Sequence, residues 1–223
     1  MKTKSIYPLI LIFVVSLFSS CFELVEEVTL NNDGSGEFEF TANLSQSKTK
    51  LKSIMLMDKI NGHKVPSQAD VTKEIVAICT LAKKTKGISK VSRSIDFENF
   101  IFSFKCQFDS VEALNSVVKN FRLSKKVTNK NHDKQFTYDK KKKILYRNFD
   151  AALKQEYTRL NAEDKKVFKG ATYVSVYRFQ KEVKATSNSK TKTSPNNKAT
   201  MLKVNVLDVI NKKSSLKNTI KLK

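Results

Sequence analysis

An alternation of apolar and polar residues on either side of one glycine-rich turn narrows most sharply what this chain can fold into. Phe22, Leu24, Val28 and Leu30 hold even positions, with Glu23, Glu27 and Thr29 between them, and Phe38, Phe40, Ala42 and Leu44 resume the phase. Successive side chains on a strand point to opposite faces, so each run has one apolar and one polar face. The intervening Asn31-Asn32-Asp33-Gly34-Ser35-Gly36 supplies turn residues, glycine reaching positive φ without a Cβ clash. Two such runs around a turn predict an antiparallel hairpin with one buried face. Asp33–Gly36 lacks the strand–loop–helix setting of a phosphate loop and reads as a turn.

The same period returns at Phe100, Phe102, Phe104, Cys106 and Phe108, opposed by Ser103, Lys105 and Gln107. Ile88 to Ile95 is its expected hairpin partner. Each aromatic ring buries about 150–250 Å², which places this strand at the core. Val111, Leu114, Val117, Val118 and Phe121 follow at helical spacing and predict a helix that covers it. Further helices are expected over 45–60, ended by Asn61-Gly62, and from the capping box Ser67-Gln68-Ala69-Asp70 to Gly87. Two short strands flank Asp139–Lys143, and 150–168 reads as helical. Thr172 to Val183 is partly apolar on both faces and so more central. Residues 185–199 are Ser-, Thr-, Asn- and Lys-rich with Pro195, a flexible loop or polar hairpin tip. Met201–Ile210 is the last clear strand, and 211–223 a weakly patterned basic tail. Hairpins mixed with helices, without strand–helix–strand repetition, predict an α+β fold. The expectation is an antiparallel sheet built from hairpins with helices packed on one face. It forms one domain over 21–223, or two packed halves meeting near 122–134.

Ahead of this body lie Lys2 and Lys4, an apolar run from Ile6 to Leu17, and Phe18-Ser19-Ser20-Cys21. Basic start, apolar centre and small-residue end make a secretory signal. The apolar run is shorter than the roughly 20 residues that span a bilayer. Its end resembles the lipobox of bacterial lipoproteins. That resemblance implies cleavage between Ser20 and Cys21, removal of residues 1–20, and acylation of Cys21 with a diacylglyceryl group and a further fatty acid such as palmitate. An ordinary signal with a chance cysteine is the alternative. Acyl chains on one residue exceed the threshold for stable anchoring, each buried CH₂ contributing about 0.8 kcal/mol. No Ser/Gly/Pro-rich linker separates Cys21 from the first strand, so the body is expected close to the head groups.

The body itself resembles LppM-like lipoprotein domains and small uncharacterised lipoproteins of Bacteroidota. The residues that carry the likeness are Cys21 with Phe22 to Leu30, the Asp33-Gly34-Ser35-Gly36 turn, Phe38 to Ala42 with Leu44-Ser45-Gln46-Ser47, and the strand–loop–strand from Tyr173 to Val206. It implies an α+β envelope domain without established catalytic residues. Attachment would be through lipid, to an outer rather than an inner membrane where both exist. Glu26-Glu27, beside the anchor, reads either as a sorting signal or as a solvated strand edge.

The formal charge is +21, two units of it from Lys2 and Lys4 in the leader. That excess suggests an acidic partner, and export argues against nucleic acid, leaving anionic lipid or glycan. A surface that is merely lysine-rich is the alternative. Lys140, Lys141, Lys142 and Lys143 are the candidate anionic contact, or a solvated hairpin tip. Cys79 and Cys106 sit in apolar sequence, either bridged or buried as free thiols. His63 and His132 lie in lysine-flanked loops without an acidic or cysteine neighbour, and no zinc motif, nucleophile elbow or dinucleotide fingerprint appears. The reading is therefore not an enzyme, with no cofactor and no metal. It is a membrane-anchored binding or scaffolding domain, with an apolar-ligand carrier as the second hypothesis and an envelope hydrolase as the third.

Overall fold

β1 (Glu23–Leu30) and β2 (Gly36–Asn43) form the expected hairpin, with Val28 opposite Phe38 and Leu30 opposite Gly36. The computed structural model describes residues 22–125, 133–148, 157–158 and 160–223. Expectations about Ser20, Cys21, His132 and most of the 150–160 segment lie outside these residues. The hairpin turn is fastened by Asp33, whose Oδ1 accepts from the amide and hydroxyl of Ser35. Gly36 is required by a close approach, since a Cβ there would lie 2.0 Å from the Thr29 carbonyl oxygen.

Two dwarf strands, β3 (Lys59–Ile60) and β4 (His63–Lys64), precede β5 (Ile88–Asp96) and β6 (Ile101–Phe108). A second pair, β7 (Phe136–Asp139) and β8 (Ile144–Arg147), is followed by β9 (Thr172–Phe179) and β10 (Val183–Thr186). The chain continues through β11 (Lys192–Thr193), β12 (Ala199–Asn205) and β13 (Asn218–Leu222). Seven strands make a large sheet in the order β11-β12-β9-β1-β2-β6-β5. Four make a smaller one, β10-β13-β8-β7.

The large sheet is mixed, which corrects the expectation of antiparallel pairing throughout. β1 runs parallel to β9, Glu23 facing Thr172 and Leu30 facing Phe179. Period-2 alternation says which residues share a face and carries no information about the direction of a neighbouring strand. The basic tail also differs from its reading. Asn218, Ile220 and Leu222 are buried and alternate with Thr219 and Lys221, and β13 lies between β10 and β8. Within 185–199 the chain carries the end of β10 and all of β11, and the side chain of Asn188 donates to the carbonyls of Ser215 and Lys217.

The main core lies between the sheets. Val28, Leu30, Phe108, Tyr177 and Phe179 come from the large sheet, and Phe136, Leu145, Val183, Ile220 and Leu222 from the small one. Helices among the described residues include α1 (Lys48–Ile54), α2 (Gln68–Lys83), α3 (Val111–Ser124), α4 (Ala162–Lys165) and α5 (Val206–Ile210). Val111 and Leu114 of α3 enter the same core, so helix and second sheet share the inner face of the first. The capping box is present: Ser67 accepts from the Asp70 amide and Asp70 from the Ser67 amide. Asn115 of α3 pairs in both directions with the backbone of Phe136, which covers part of the edge of β7.

The strand expected over Thr172–Val183 ends at Phe179, and Val183 opens β10 of the smaller sheet. Other boundaries differ through turn or cap chemistry. The helix expected over 45–60 stops at Ile54, because Asn61 (φ 50) and Gly62 (φ 82) close the β3–β4 hairpin. Positive φ at both central residues is the tight hairpin turn that Asn-Gly favours. Phe100 has φ 55 and sits in the turn before β6. The strand expected to reach Ile210 ends at Asn205, whose side chain accepts from the Leu207 amide and starts α5. Cys79 and Cys106 are both buried and free, and burial, with the charges of Glu37 and Cys79, pushes the Cys106 thiol up to about 12.

Candidate functional site

Glu26 shares the phase of Leu24, Val28 and Leu30, so β1 turns its carboxylate inward. It is 5% exposed, and Arg147, in phase with Leu145 on β8, is 4% exposed. Nε and Nη2 of Arg147 donate to Oε1 and Oε2 of Glu26, each at 3.1 Å. The Tyr173 and Tyr177 hydroxyls, both from β9, donate to Oε2 at 2.9 Å and Oε1 at 2.6 Å. Nη1 of Arg147 donates to Gln135, and the guanidinium carbon stands 5.0 Å from the Phe136 ring centre. Bidentate pairing with filled remaining positions is the geometry in which a buried charge pair holds.

Burial opposes the Arg147 charge, but Glu26 and the two tyrosines more than offset it, and its pKa lies above the ordinary value. Burial and then the Glu26 charge raise both Tyr173 and Tyr177. The carboxylate accepts four hydrogen bonds and is closed on every side by protein, leaving no position for a substrate atom. What remains is a clamp between the two sheets. Ser175, opposite Glu26 across β1 and β9, is buried, its hydroxyl close enough to Tyr177 to temper that residue's shift.

This overturns the reading of Glu26 as solvated strand edge. Glu27 alone faces outward, paired with Arg178. Glu23 with Lys203 at 2.6 Å and Glu37 with Lys105 at 2.7 Å continue ion pairing across that outer face. The clamp had a signal in the sequence. A glutamate and an arginine each hold an apolar-phase position on an otherwise hydrophobic strand.

Lys140–Lys143 form the turn between β7 and β8, with Lys140, Lys141 and Lys142 exposed. The turn leans on the β1–β2 turn, where Tyr138 reaches the Asn32 carbonyl at 3.5 Å. Lys143 lies beside Lys181, whose pKa it lowers through their hydrogen bond and mutual repulsion. This is the Leu30 end of β1, about 23 Å from Glu23 at roughly 3.3 Å per residue. The lysine run therefore occupies the pole remote from the start of β1.

The near pole is built differently. Asn43 stands opposite Glu23, so everything that follows β2 starts beside the first strand residue. α1 leads into the loop Met55–Asp58, where Leu56 is 90% and Met57 52% exposed. Lys50, Lys52, Lys59 and Lys64 are exposed around it. His63 sits on the β3–β4 hairpin with Nε2 3.2 Å from Asp164, but its side chain is 68% exposed. The pair stands on an open turn, not in a cleft, so it lacks the enclosure that a hydrolase reading needs. Among the described residues no group of three or more His, Cys, Asp or Glu can hold a metal ion, and no helix is long and apolar enough to cross a membrane. A groove of about 430 Å³ runs along α2 and α3 past Ala77, Leu81 and Asn120, on the helices and not beneath them. Cys106 and Phe108 are closed off under the helices.

The described molecule is thus a mixed α/β domain of two sheets sharing one core, with a charge clamp at its centre. No family model matches the chain, and no curated protein matches it. Among solved structures, the folded domain of the Mycobacterium tuberculosis LppM protein, determined by NMR, resembles it weakly. The TM-score is 0.42 at 9% identity, over 91% of this chain and 89% of that one.

Proposed function

We propose that this protein is an envelope lipoprotein, tethered to a bilayer by acyl chains on Cys21, whose folded body acts as a non-catalytic binding or scaffolding domain at the membrane surface. The observation that carries it is the start of β1 at Glu23, two residues beyond the lipobox cysteine. Phe22 is already part of the fold, its carbonyl accepting from the Thr172 amide at 3.0 Å. Acyl chains on the preceding residue would leave no slack, and the pole carrying Phe22, α1 and the β3–β4 hairpin would face the lipid. The saturated Glu26 centre supports the non-catalytic part, since the most concentrated charge in the core is committed to holding the sheets together.

The test is fractionation of the expressing cells together with mass spectrometry of the amino-terminal peptide. The wild type is expected with the membranes, its terminal cysteine carrying acyl mass. Cys21→Ser is expected unprocessed or in the soluble pool. An unmodified thiol on a soluble wild-type protein would remove the tether from the reading.

A further inference from the structure

We infer that the loop Met55–Asp58 is a second membrane contact, in which Leu56 and Met57 insert among the acyl chains of an anionic bilayer while Lys50, Lys52, Lys59 and Lys64 meet the head groups. The inference deepens the proposed function and borrows from it only the identity of the surface. Among the described residues Leu56 is the most exposed of the large apolar side chains at 90%, with Met57 next to it at 52%. Two adjacent exposed apolar residues, with exposed lysines on the helix before them and on the hairpin after them, match the layering of a bilayer, apolar inside and anionic at the rim. Each lysine near such a surface contributes attraction that falls off within a Debye length.

The loop is also held in place. Asp58 accepts from the Val65 amide at 3.0 Å, and Val65 is buried. The β3–β4 turn is tied to α4 through Asn61 and His63, both of which contact Asp164. The apolar tip therefore stands on a built support, and inserting it orders little additional chain. Its position complements its chemistry, because α1 leaves β2 at Asn43, opposite Glu23. The tip and the start of β1 thus lie at one pole, and a body held at both points has a defined orientation on the surface. The Lys140–Lys143 turn, at the other pole, would point away from the lipid.

Residues 22–223 contain the main core and every described element, and serve as an untethered form. The probe is sedimentation with vesicles of phosphatidylcholine, pure or mixed with phosphatidylglycerol. Binding is expected to the mixed vesicles and to weaken as salt rises from about 0.01 M to about 1 M, as the Debye length falls from about 30 Å to about 3 Å. Leu56→Ser with Met57→Ser is expected to lose about tenfold or more in affinity, because the inserted apolar area is gone. Lys140→Glu with Lys142→Glu is expected to bind as the parent does. The protein has no tryptophan, so Leu56→Trp reports directly, with a blue shift expected on mixed vesicles. Circular dichroism checks that each variant is folded.

Full binding by the double serine variant, or an unshifted Leu56→Trp spectrum on bound protein, would overturn the inference. So would loss of binding in the Lys140 and Lys142 variant alone, or self-association through the tip in the absence of vesicles. No tether is present in this experiment, so its failure leaves acylation of Cys21 untouched, and an unacylated Cys21 leaves its result intact.

Discussion

Removing the Glu26 carboxylate takes the opposite charge away from the Arg147 guanidinium in a site that is 4% exposed. Glu26→Gln is expected to lower unfolding free energy by about 3–5 kcal/mol, the range for breaking one half of a buried pair. Replacing both partners by apolar residues, Glu26→Leu with Arg147→Met, is expected to recover most of that. Urea denaturation of the three proteins checks it, and a loss below about 1 kcal/mol in Glu26→Gln would deny the pair its role as clamp. The surrounding hydroxyls add a dependence on pH. Tyr173, Tyr177 and Cys106 all have raised pKa values in the fold, so the native state holds these protons more tightly than the unfolded chain. Their contribution is complete below the unfolded values, near about 8.5 for cysteine and about 10 for tyrosine, and is lost as pH rises toward the folded ones. The melting temperature is therefore expected to fall above about pH 9, with two tyrosines ionising only on unfolding when followed by ultraviolet absorbance. A melting temperature flat to about pH 11 would contradict this. At this scale the sequence was half legible. Alternation marked Leu24, Val28 and Leu30 as inward, but an inward Glu26 makes sense only once Arg147, 121 residues away, is seen against it.

Elements with local signals are where pattern and structure agree. The capping box at Ser67 and Asp70 starts α2, Ser110 caps α3, and the turns at Asn31–Gly36 and Asp139–Lys143 join the strands expected on either side. Each is decided by residues within a few positions of one another, which is the range over which propensity acts. Ser67→Ala is expected to cost about 1 kcal/mol by loss of the cap, read from a urea midpoint that shifts with unchanged slope. Gly36→Ala is expected to cost about 1–3 kcal/mol by overpacking against the Thr29 carbonyl and the Phe108 ring, and a neutral result would show that the hairpin can open there. β13 escaped notice because Lys217, Thr219 and Lys221 dilute its three inward residues. Its burial comes from β8 and β10, both supplied by distant parts of the chain. Without residues 218–223 the small sheet loses its second strand and the main core its Ile220 and Leu222. That truncation is expected to abolish cooperative melting by circular dichroism. A retained sigmoidal transition would show the strand to be dispensable.

On the whole-molecule scale the two poles differ in kind. One gathers the start of β1 with an exposed apolar pair and dispersed lysines, the other a run of lysines over a polar turn. Strand alternation cannot reveal which loops share a pole, because that follows from register and direction, and it emerges only with Glu23 facing both Asn43 and Thr172. The parallel contact between β1 and β9 has a further consequence. Glu23 and Thr172 are 149 residues apart, so the opening strand waits unpaired on one side until most of the polypeptide has been delivered. Contacts of such long separation close slowly. A chain delivered amino end first can form its local hairpins early, but its large sheet closes only after Thr172–Phe179 has arrived.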